Sequence, residues 1–136
     1  MPVHIYARFI MGTRRGLFAA VLATGAGIVA SPAQAQDAAA GRAVFQSQCS
    51  ICHSVKPGQN MIGPSLSGVV GRPAGQIAGF HYSAANKSSG LTWDEATLER
   101  YLANPRAVVP KTSMSYAGLK EPEKRANLIA YLATAH

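Results

Sequence analysis

The sequence has only two cysteines, Cys49 and Cys52, and they stand three positions apart. A pair this close cannot join distant parts of the chain, so disulfides do not hold the fold together. Charged residues make up 14% of the sequence, and nothing in its composition indicates collagen, a coiled coil or wholesale disorder. Strand-like alternation and internal repeats are also missing. These absences leave one ordinary globular domain, which suits 136 residues.

No apolar run reaches the roughly 20 residues that a membrane-spanning helix needs. The longest one, residues 17–30, has about fourteen residues. It follows Arg8, Arg14 and Arg15 and precedes Ala33-Gln34-Ala35, which has the small-x-small form of a signal peptidase site. This pattern predicts a cleaved signal peptide over residues 1–35 and a mature domain over residues 36–136. Retention as a membrane anchor is the alternative.

The signal segment leaves two further questions open. Its positive region is long, so Met11 is an alternative start to Met1. Arg14 and Arg15 also resemble a twin-arginine export signal, although ordinary positive charge explains them as well. Removal of residues 1–35 takes away three arginines and no acidic residue, so the formal net charge falls from +7 to +4. The mature domain is therefore mildly basic.

The mature domain reads as three helices joined by long loops. Asp37 is predicted to cap the start of a helix that runs to about Gln48. Residues 92–95 have the form of a capping box, with Thr92 and Glu95 as its partners, before a helix that ends at Asn104-Pro105. Pro122 suits the first turn of a last helix. Residues 50–90 and 106–119 show no sustained helical or strand periodicity, so they are predicted to form loops. The fold class is all-α, with about three to five helices.

The segment Cys49-Ser50-Ile51-Cys52-His53 matches the C-x-x-C-H pattern of covalent haem attachment. Two thiols three positions apart on a helical turn face the same side, where each can add to a vinyl group of the porphyrin. The histidine that follows then turns beneath the ring and reaches the iron. A thioredoxin-type pair would need a βαβ pattern, which is missing. A structural zinc site would need four ligands, and these residues supply three.

A thioether ligand on the second axial position of the iron has two candidates, because Met61 and Met114 are the only methionines after residue 35. Met61 lies eight residues after His53 and is expected to stay on the histidine side of the ring. Met114 is far along the chain and can approach the other face. Methionine is also a common core filler, so spacing alone does not assign the ligand.

Several further segments resemble class I cytochromes c of mitochondria and bacteria. In chain order they are GFHYSAANK at 79–87, LTWDE at 91–95, YLANP at 101–105, TSM at 112–114, AGLK at 117–120 and LIAYL at 128–132. The resemblance covers nearly all of residues 37–134. It implies the cytochrome c fold, with helices and long loops wrapped around one covalent haem c.

The resemblance also implies a role for each matching residue. Met114 would be the second axial ligand beside His53, and Pro64 would accept a hydrogen bond from His53. Arg72, Tyr82 and Trp93 would bind or neutralise the haem propionates. Asn86, Tyr101 and Thr112 would position an internal water near the Met114 sulfur. Gly41 and Phe45 would pack against Leu128 and Tyr131.

The chain departs from the family pattern around Met114. Lys111 stands where the family usually has glycine, and Tyr116 where it usually has phenylalanine. Lysines that are frequent in the family are replaced by Arg106, Ala107 and Ser113. The usual ring of lysines around the haem edge is therefore thin, which puts the standard partner-docking surface in doubt.

The expected function is electron transfer and not catalysis. The resemblance implies a soluble, monomeric periplasmic carrier that shuttles single electrons between redox proteins. Candidate partners are a quinol-oxidising cytochrome complex, a terminal oxidase, a photosynthetic reaction centre, or periplasmic dehydrogenases and reductases. No nucleic acid and no membrane span of the mature form are expected. The rival functions are a haem peroxidase or ligand-binding cytochrome with a loose sixth ligand, and a domain tethered by an uncleaved signal.

Overall fold

The computed structural model describes residues 36–136, so the predicted signal peptide lies outside the described residues. Within this range the chain forms five α-helices and no strand. They are α1 (Ala38–Gln48), α2 (Ala84–Lys87), α3 (Glu95–Ala103), α4 (Pro105–Val108) and α5 (Pro122–Ala133). None of the helices in this range is long and apolar enough to cross a membrane. The predicted all-α class is confirmed.

Helices α1 and α5 pack against each other and join the two ends of the domain. The Asp37 carboxylate accepts hydrogen bonds from the backbone N–H groups of Ala39 and Ala40, at 2.8 and 3.1 Å, as predicted for the cap of α1. The Asp37 N–H donates to the side-chain oxygen of Asn127 in α5, at 2.8 Å. The cap of one helix is thereby fixed to the body of the other.

The crossing of α1 and α5 requires a residue without a side chain. A Cβ built on Gly41 would overlap the backbone carbonyl of Asn127 and lie 2.9 Å from the Cβ of Tyr131. One turn later, the rings of Phe45 and Tyr131 pack with centroids 5.6 Å apart. The predicted packing of Gly41 and Phe45 against α5 is confirmed, and close approach of the two backbones is its physical basis.

The capping-box prediction at residues 92–95 is wrong. The N-cap of α3 is Asp94, whose carboxylate accepts a hydrogen bond from the Thr97 N–H at 2.7 Å. Thr92 cannot cap the helix, because residues 91–93 are held in an extended segment by residues 71–74. The Trp93 N–H donates to the Arg72 carbonyl at 2.9 Å within this pairing. Tertiary hydrogen bonds therefore shift the start of the helix by two residues.

Two short helices lie in segments that were predicted as loops. Helix α3 does end before Asn104-Pro105, as expected, but Pro105 immediately opens α4. The Asn104 side chain caps this new helix by accepting a hydrogen bond from the Ala107 N–H. Ser83 caps α2 in the same way, through the Asn86 N–H. Both helices have four residues, too short to produce a recognisable apolar period.

Arg125 connects α5 to α3 and to the segment that follows Met114. Its guanidinium is buried and bonds the Glu99 carboxylate of α3 at 2.6 Å. It also donates to the carbonyl oxygens of Leu119 and Lys120, at 2.7 and 2.8 Å. Arg125 therefore bonds three acceptors in two other segments and links α5 to α3 and to the loop before α5.

We predict that Gly41→Ala destabilises the holoprotein by about 3 kcal/mol, because α1 and α5 must move apart to admit a methyl group. This loss opposes the gain of about 1 kcal/mol that alanine normally brings to a helix interior. The control Ala43→Gln enlarges an exposed side chain of the same helix, and should change stability by less than about 0.5 kcal/mol. Guanidinium unfolding measures both values. Equal stabilities for the two variants would contradict the close crossing.

Candidate functional site

Cys49, Cys52 and His53 lie on a turn that directly continues α1. The N–H groups of Cys52 and His53 both donate to the Cys49 carbonyl, at 3.0 and 2.9 Å. The Cys49 N–H donates to the Phe45 carbonyl, so the turn is joined to the last residues of the helix. The position of both sulfurs is therefore set by the packing of α1 against α5. The two cysteines do not form a disulfide.

The environment of the thiols disfavours a redox dithiol. Burial, with a smaller contribution from Cys52, raises the pKa of the Cys49 thiol to about 11. Redox-active C-x-x-C pairs instead have a lowered pKa, because the thiolate is the attacking species. In residues 36–136 no three His, Cys, Asp or Glu side chains are grouped as a metal site requires. Covalent attachment to a porphyrin, in contrast, does not need a thiol with a lowered pKa.

The imidazole of His53 is oriented by the backbone around Pro64. Its Nδ1–H donates to the Pro64 carbonyl oxygen at 2.8 Å. A carbonyl can only accept, so the proton lies on Nδ1 and the lone pair of Nε2 is left for a metal. Burial lowers the pKa of His53, although the bond to Pro64 opposes this shift. The neutral imidazole that ligation needs is therefore favoured.

Gly63 provides room for the His53 ring. A Cβ on Gly63 would overlap the imidazole, with its nitrogens 2.6 and 2.7 Å away. The Gly63 N–H also donates to the Cys52 carbonyl at 2.8 Å, which closes the loop of residues 53–63 onto the attachment turn. No role was predicted for Gly63 from the sequence. Its signal was a glycine directly before the proline whose carbonyl orients the histidine.

Met114 is held from its own loop and from α3. The Met114 N–H donates to the Thr112 hydroxyl at 3.3 Å, and that hydroxyl lies 3.2 Å from the Tyr101 hydroxyl. The Tyr101 hydroxyl in turn lies 3.9 Å from the Met114 sulfur. Burial raises the pKa of Tyr101, so its hydroxyl stays protonated as a donor. Met61, in contrast, is 43% exposed.

All the predicted site residues line one cavity in the middle of the hydrophobic core. They are Cys49, Cys52, His53, Pro64, Arg72, Tyr82, Asn86, Trp93, Tyr101, Thr112 and Met114. The remaining wall is mainly apolar and includes the core residues Leu98, Leu102, Leu128 and Leu132. The cavity offers about 260 Å³ to water-sized molecules. A flat apolar group with polar edges suits such a wall.

Two buried polar atoms that have no hydrogen-bond partner within residues 36–136 also test whether a cofactor fits the cavity. The side-chain oxygen of Asn86 and the hydroxyl of Tyr116 are buried without a hydrogen-bond partner, and both residues line the cavity. Burial raises the pKa of Tyr116, which keeps its hydroxyl protonated. Buried polar groups are rarely left unpaired in native proteins. A bound cofactor with ordered water would satisfy both, so the cavity fits the haem that the resemblance implies.

Arg72 brings positive charge to the same wall. Its guanidinium donates to the carbonyl oxygens of Ser67 and Ser65, at 2.7 and 3.1 Å, and is partly buried. Desolvation lowers the pKa of Arg72, yet an arginine remains protonated in proteins. Three of its five N–H groups are left over for an anionic group in the cavity. Phe80, which packs edge-on against Tyr82 with centroids 4.8 Å apart, is a further wall residue that the sequence analysis missed.

Lys111 adopts a backbone conformation that normally requires glycine. Its φ is +66°, the only positive φ of a non-glycine residue in residues 36–136. The family pattern predicted glycine here, and the structure supplies the reason, because the turn before Met114 is left-handed at this position. A side chain in this region costs roughly 1–2 kcal/mol.

Comparisons with known proteins agree with this geometry. A family model described as cytochrome c matches residues 38–136. A cytochrome c2 of Rhodomicrobium vannielii is 55% identical over 111 residues, which cover 79% of this chain and 86% of the relative. A cytochrome c of Nigella damascena is 46% identical over 101 residues, covering 74% and 91%. The solved structure of cytochrome cH from Methylobacterium extorquens matches with a TM-score of 0.68 and 46% identity, covering 72% of this chain and 98% of that one.

We predict that Lys111→Gly raises the free energy of unfolding by about 0.5–1 kcal/mol, because glycine adopts a positive φ without steric cost. Lys111→Ala is the matched control, since it removes the same side chain but keeps the Cβ. It should give no gain. Guanidinium unfolding of the two variants distinguishes backbone strain from an effect of the lysine charge. A similar gain in both variants would show that the charge is responsible.

Proposed function

The chain belongs to the cytochrome c family, and on that premise we propose that it carries one haem c whose iron is bound by His53 and Met114. Members of this family are electron carriers and not enzymes, and the chain is an electron-transfer haem protein. When bound, the haem supplies a one-electron iron couple. The observation that carries the proposal is the convergence of the matching residues on one apolar cavity.

On the histidine side, Cys49 and Cys52 would hold the porphyrin by thioether bonds while His53 binds the iron through Nε2. The bond from Nδ1 to the Pro64 carbonyl supports this assignment, since it fixes both the tautomer and the ring orientation. Gly63 leaves space for the ring. The imidazole is thus oriented by the backbone for binding to the iron.

As the second ligand of the iron, we favour Met114 over Met61. Met114 lines the cavity, whereas Met61 does not and is 43% exposed. The Tyr101 hydroxyl lies close to the Met114 sulfur, and the Thr112 hydroxyl holds the Met114 backbone N–H, so both restrict the position of the residue. A thioether ligand raises the reduction potential of a haem, because it favours ferrous iron. Asn86, with its unpaired buried oxygen, would hold an internal water in this region.

The haem propionates would be held by Arg72, Tyr82 and Trp93, all of which line the cavity. The Arg72 guanidinium supplies positive charge and spare N–H donors beside an apolar wall. A carboxylate in a weakly polar site needs such a partner, because desolvation without one is costly. Neutralisation of the propionates also reduces their stabilisation of ferric iron.

We propose further that residues 1–35 are a cleaved signal peptide and that the mature domain works in the periplasm. The apolar run of residues 17–30 and the Ala33-Gln34-Ala35 site support this location. There the domain would act as a soluble monomer that passes single electrons between redox proteins. Suitable partners are a quinol-oxidising cytochrome complex, a terminal oxidase, a reaction centre, or periplasmic dehydrogenases and reductases.

Met114→Ala should leave the haem attached but open its sixth position. We expect loss of the sulfur-to-iron charge-transfer band of the oxidised protein, carbon monoxide binding by the reduced protein and a lower reduction potential. Optical titration and voltammetry measure these changes. Met61→Ala is the control and should behave as the wild type. If Met114→Ala keeps the band and Met61→Ala loses it, the ligand assignment is reversed.

Mass spectrometry of the protein exported from a host with haem-attachment machinery tests the processing proposal. We expect a chain that begins at Gln36 and carries one haem. Cys49→Ser/Cys52→Ser is the control and should be exported without covalent haem. A haem-bearing chain that retains residues 17–30 would instead indicate a membrane-anchored domain.

A further inference from the structure

The Pro64 carbonyl that orients His53 belongs to a peptide group whose other end is also hydrogen-bonded. That carbonyl accepts a hydrogen bond from Nδ1–H of His53 at 2.8 Å. The N–H of the same peptide group, which Ser65 carries, donates to the side-chain oxygen of Asn60 at 3.0 Å. The side chain of Asn60 therefore contacts the same peptide group that holds the proposed iron ligand.

The side-chain amide of Asn60 is bonded at its nitrogen as well. Its Nδ2 donates to the Ala78 carbonyl at 3.0 Å, across 18 positions of the chain. The orientation of the amide follows from its two partners, because a backbone N–H can only donate and a carbonyl can only accept. Asn60 thus joins the segment around Pro64 to a second loop, with its oxygen towards Ser65 and its nitrogen towards Ala78.

The peptide between Pro64 and Ser65 is held in the interior of the domain. Ser65 is fully buried, and its hydroxyl donates to the Lys56 carbonyl at 2.7 Å. The Ser65 carbonyl accepts from the Arg72 guanidinium at 3.1 Å. Hydrogen bonds are stronger in the protein interior than in water, and groups that are bonded in a row polarise one another. The contact with Asn60 therefore affects the strength of the next bond as well as the position of the peptide.

The three bonds run in one direction, each group donating to the next in the order His53, the Pro64–Ser65 peptide, Asn60 and Ala78. When Asn60 accepts the Ser65 N–H, it polarises the peptide and makes the Pro64 oxygen a better acceptor. A stronger bond at Nδ1 of His53 makes Nε2 a better electron donor to a metal, as partners of metal-binding histidines generally do. The amide of Asn60 and the iron are therefore linked through a peptide and an imidazole.

We propose that Asn60 is a positioning residue for the haem iron, which it influences through the Pro64–Ser65 peptide and His53. This inference rests on the proposed binding of the iron by His53 and identifies a residue that tunes this ligand. Stronger electron donation from Nε2 favours ferric iron, so the contact with Asn60 lowers the reduction potential. The C-x-x-C-H motif gives no indication of this role, because Asn60 reaches the peptide only through the fold of the loop.

Voltammetry and proton NMR of the holoprotein test the proposal on the Asn60→Ala variant. We expect the ratio of reduced to oxidised protein at a fixed applied potential to rise about threefold, because the imidazole donates less strongly. The Nδ1 proton of His53 should resonate further upfield in the reduced protein, because its hydrogen bond to Pro64 is weaker. A residue that only stabilises the loop would move neither the potential nor this resonance.

The neighbouring Gln59 provides a matched control in the same loop. Its side-chain oxygen accepts from the Ser54 hydroxyl at 3.0 Å, away from the Pro64–Ser65 peptide. Gln59→Ala should therefore leave both the reduction potential and the His53 resonance as in the wild type. If Gln59→Ala reproduces the changes of Asn60→Ala, or if Asn60→Ala changes neither measurement, the proposal is overturned in favour of loop stability alone.

A charged variant covers the case in which Asn60→Ala does not retain its haem. Asn60→Asp keeps an acceptor for the Ser65 N–H and strengthens that bond by its charge. The lost bond to Ala78 is exposed, so water can replace it. We expect a lower potential and a downfield shift of the His53 resonance. Gln59→Glu places the same charge one residue away and should lower the potential less, without moving the resonance; equal changes in the two variants would overturn the proposal.

The same spectra separate failure of this inference from failure of the proposed function. The ring protons of an iron-bound imidazole are shifted upfield by the ring current of the porphyrin. If the wild-type His53 protons lack this shift, His53 does not bind the iron, and the proposed function is overturned together with the inference. If the wild type shows the shift and Asn60→Ala leaves the potential and the Nδ1 resonance unchanged, only the role of Asn60 is overturned.

Discussion

The structure depends on a hydrophobic core that its own side chains do not fill. Leu98, Leu102, Leu128 and Leu132 belong both to the core and to the wall of the cavity. A domain of this size buries a limited share of its surface, so an apolar group in this cavity would add considerably to the buried core. An apolar cofactor at that place therefore acts as part of the core, and its binding is coupled to the packing of the helices.

That coupling links the helix crossing to the iron site. Gly41 allows α1 to approach α5, and the turn after α1 carries both thiols and His53. The methionine loop is tied to α3 through Tyr101 and to α5 through Arg125. The two proposed iron ligands therefore belong to different segments, each anchored to packed helices. Such anchoring limits the movement of both ligands when the iron changes charge, as a one-electron carrier requires.

The sequence was informative wherever local chemistry determines structure. Asp37 and Pro122 marked the starts of α1 and α5, and the C-x-x-C-H motif identified the attachment turn. It failed where distant hydrogen bonds compete with local signals. Thr92 did not cap α3, because residues 71–74 hold residues 91–93 in an extended segment. Helices α2 and α4 are too short to show a period, and the room that Gly63 leaves for His53 becomes visible only in three dimensions.

X-ray absorption at the iron edge tests the central claim most directly, because it reports the ligand atoms without reference to the sequence. We predict one sulfur and five nitrogen neighbours of the iron in both the oxidised and the reduced protein, with His53 and Met114 bound throughout. A five-coordinate iron in either state, or a first coordination sphere without sulfur, would contradict it. Either result would favour a ligand-binding haem protein with an open or exchangeable sixth position.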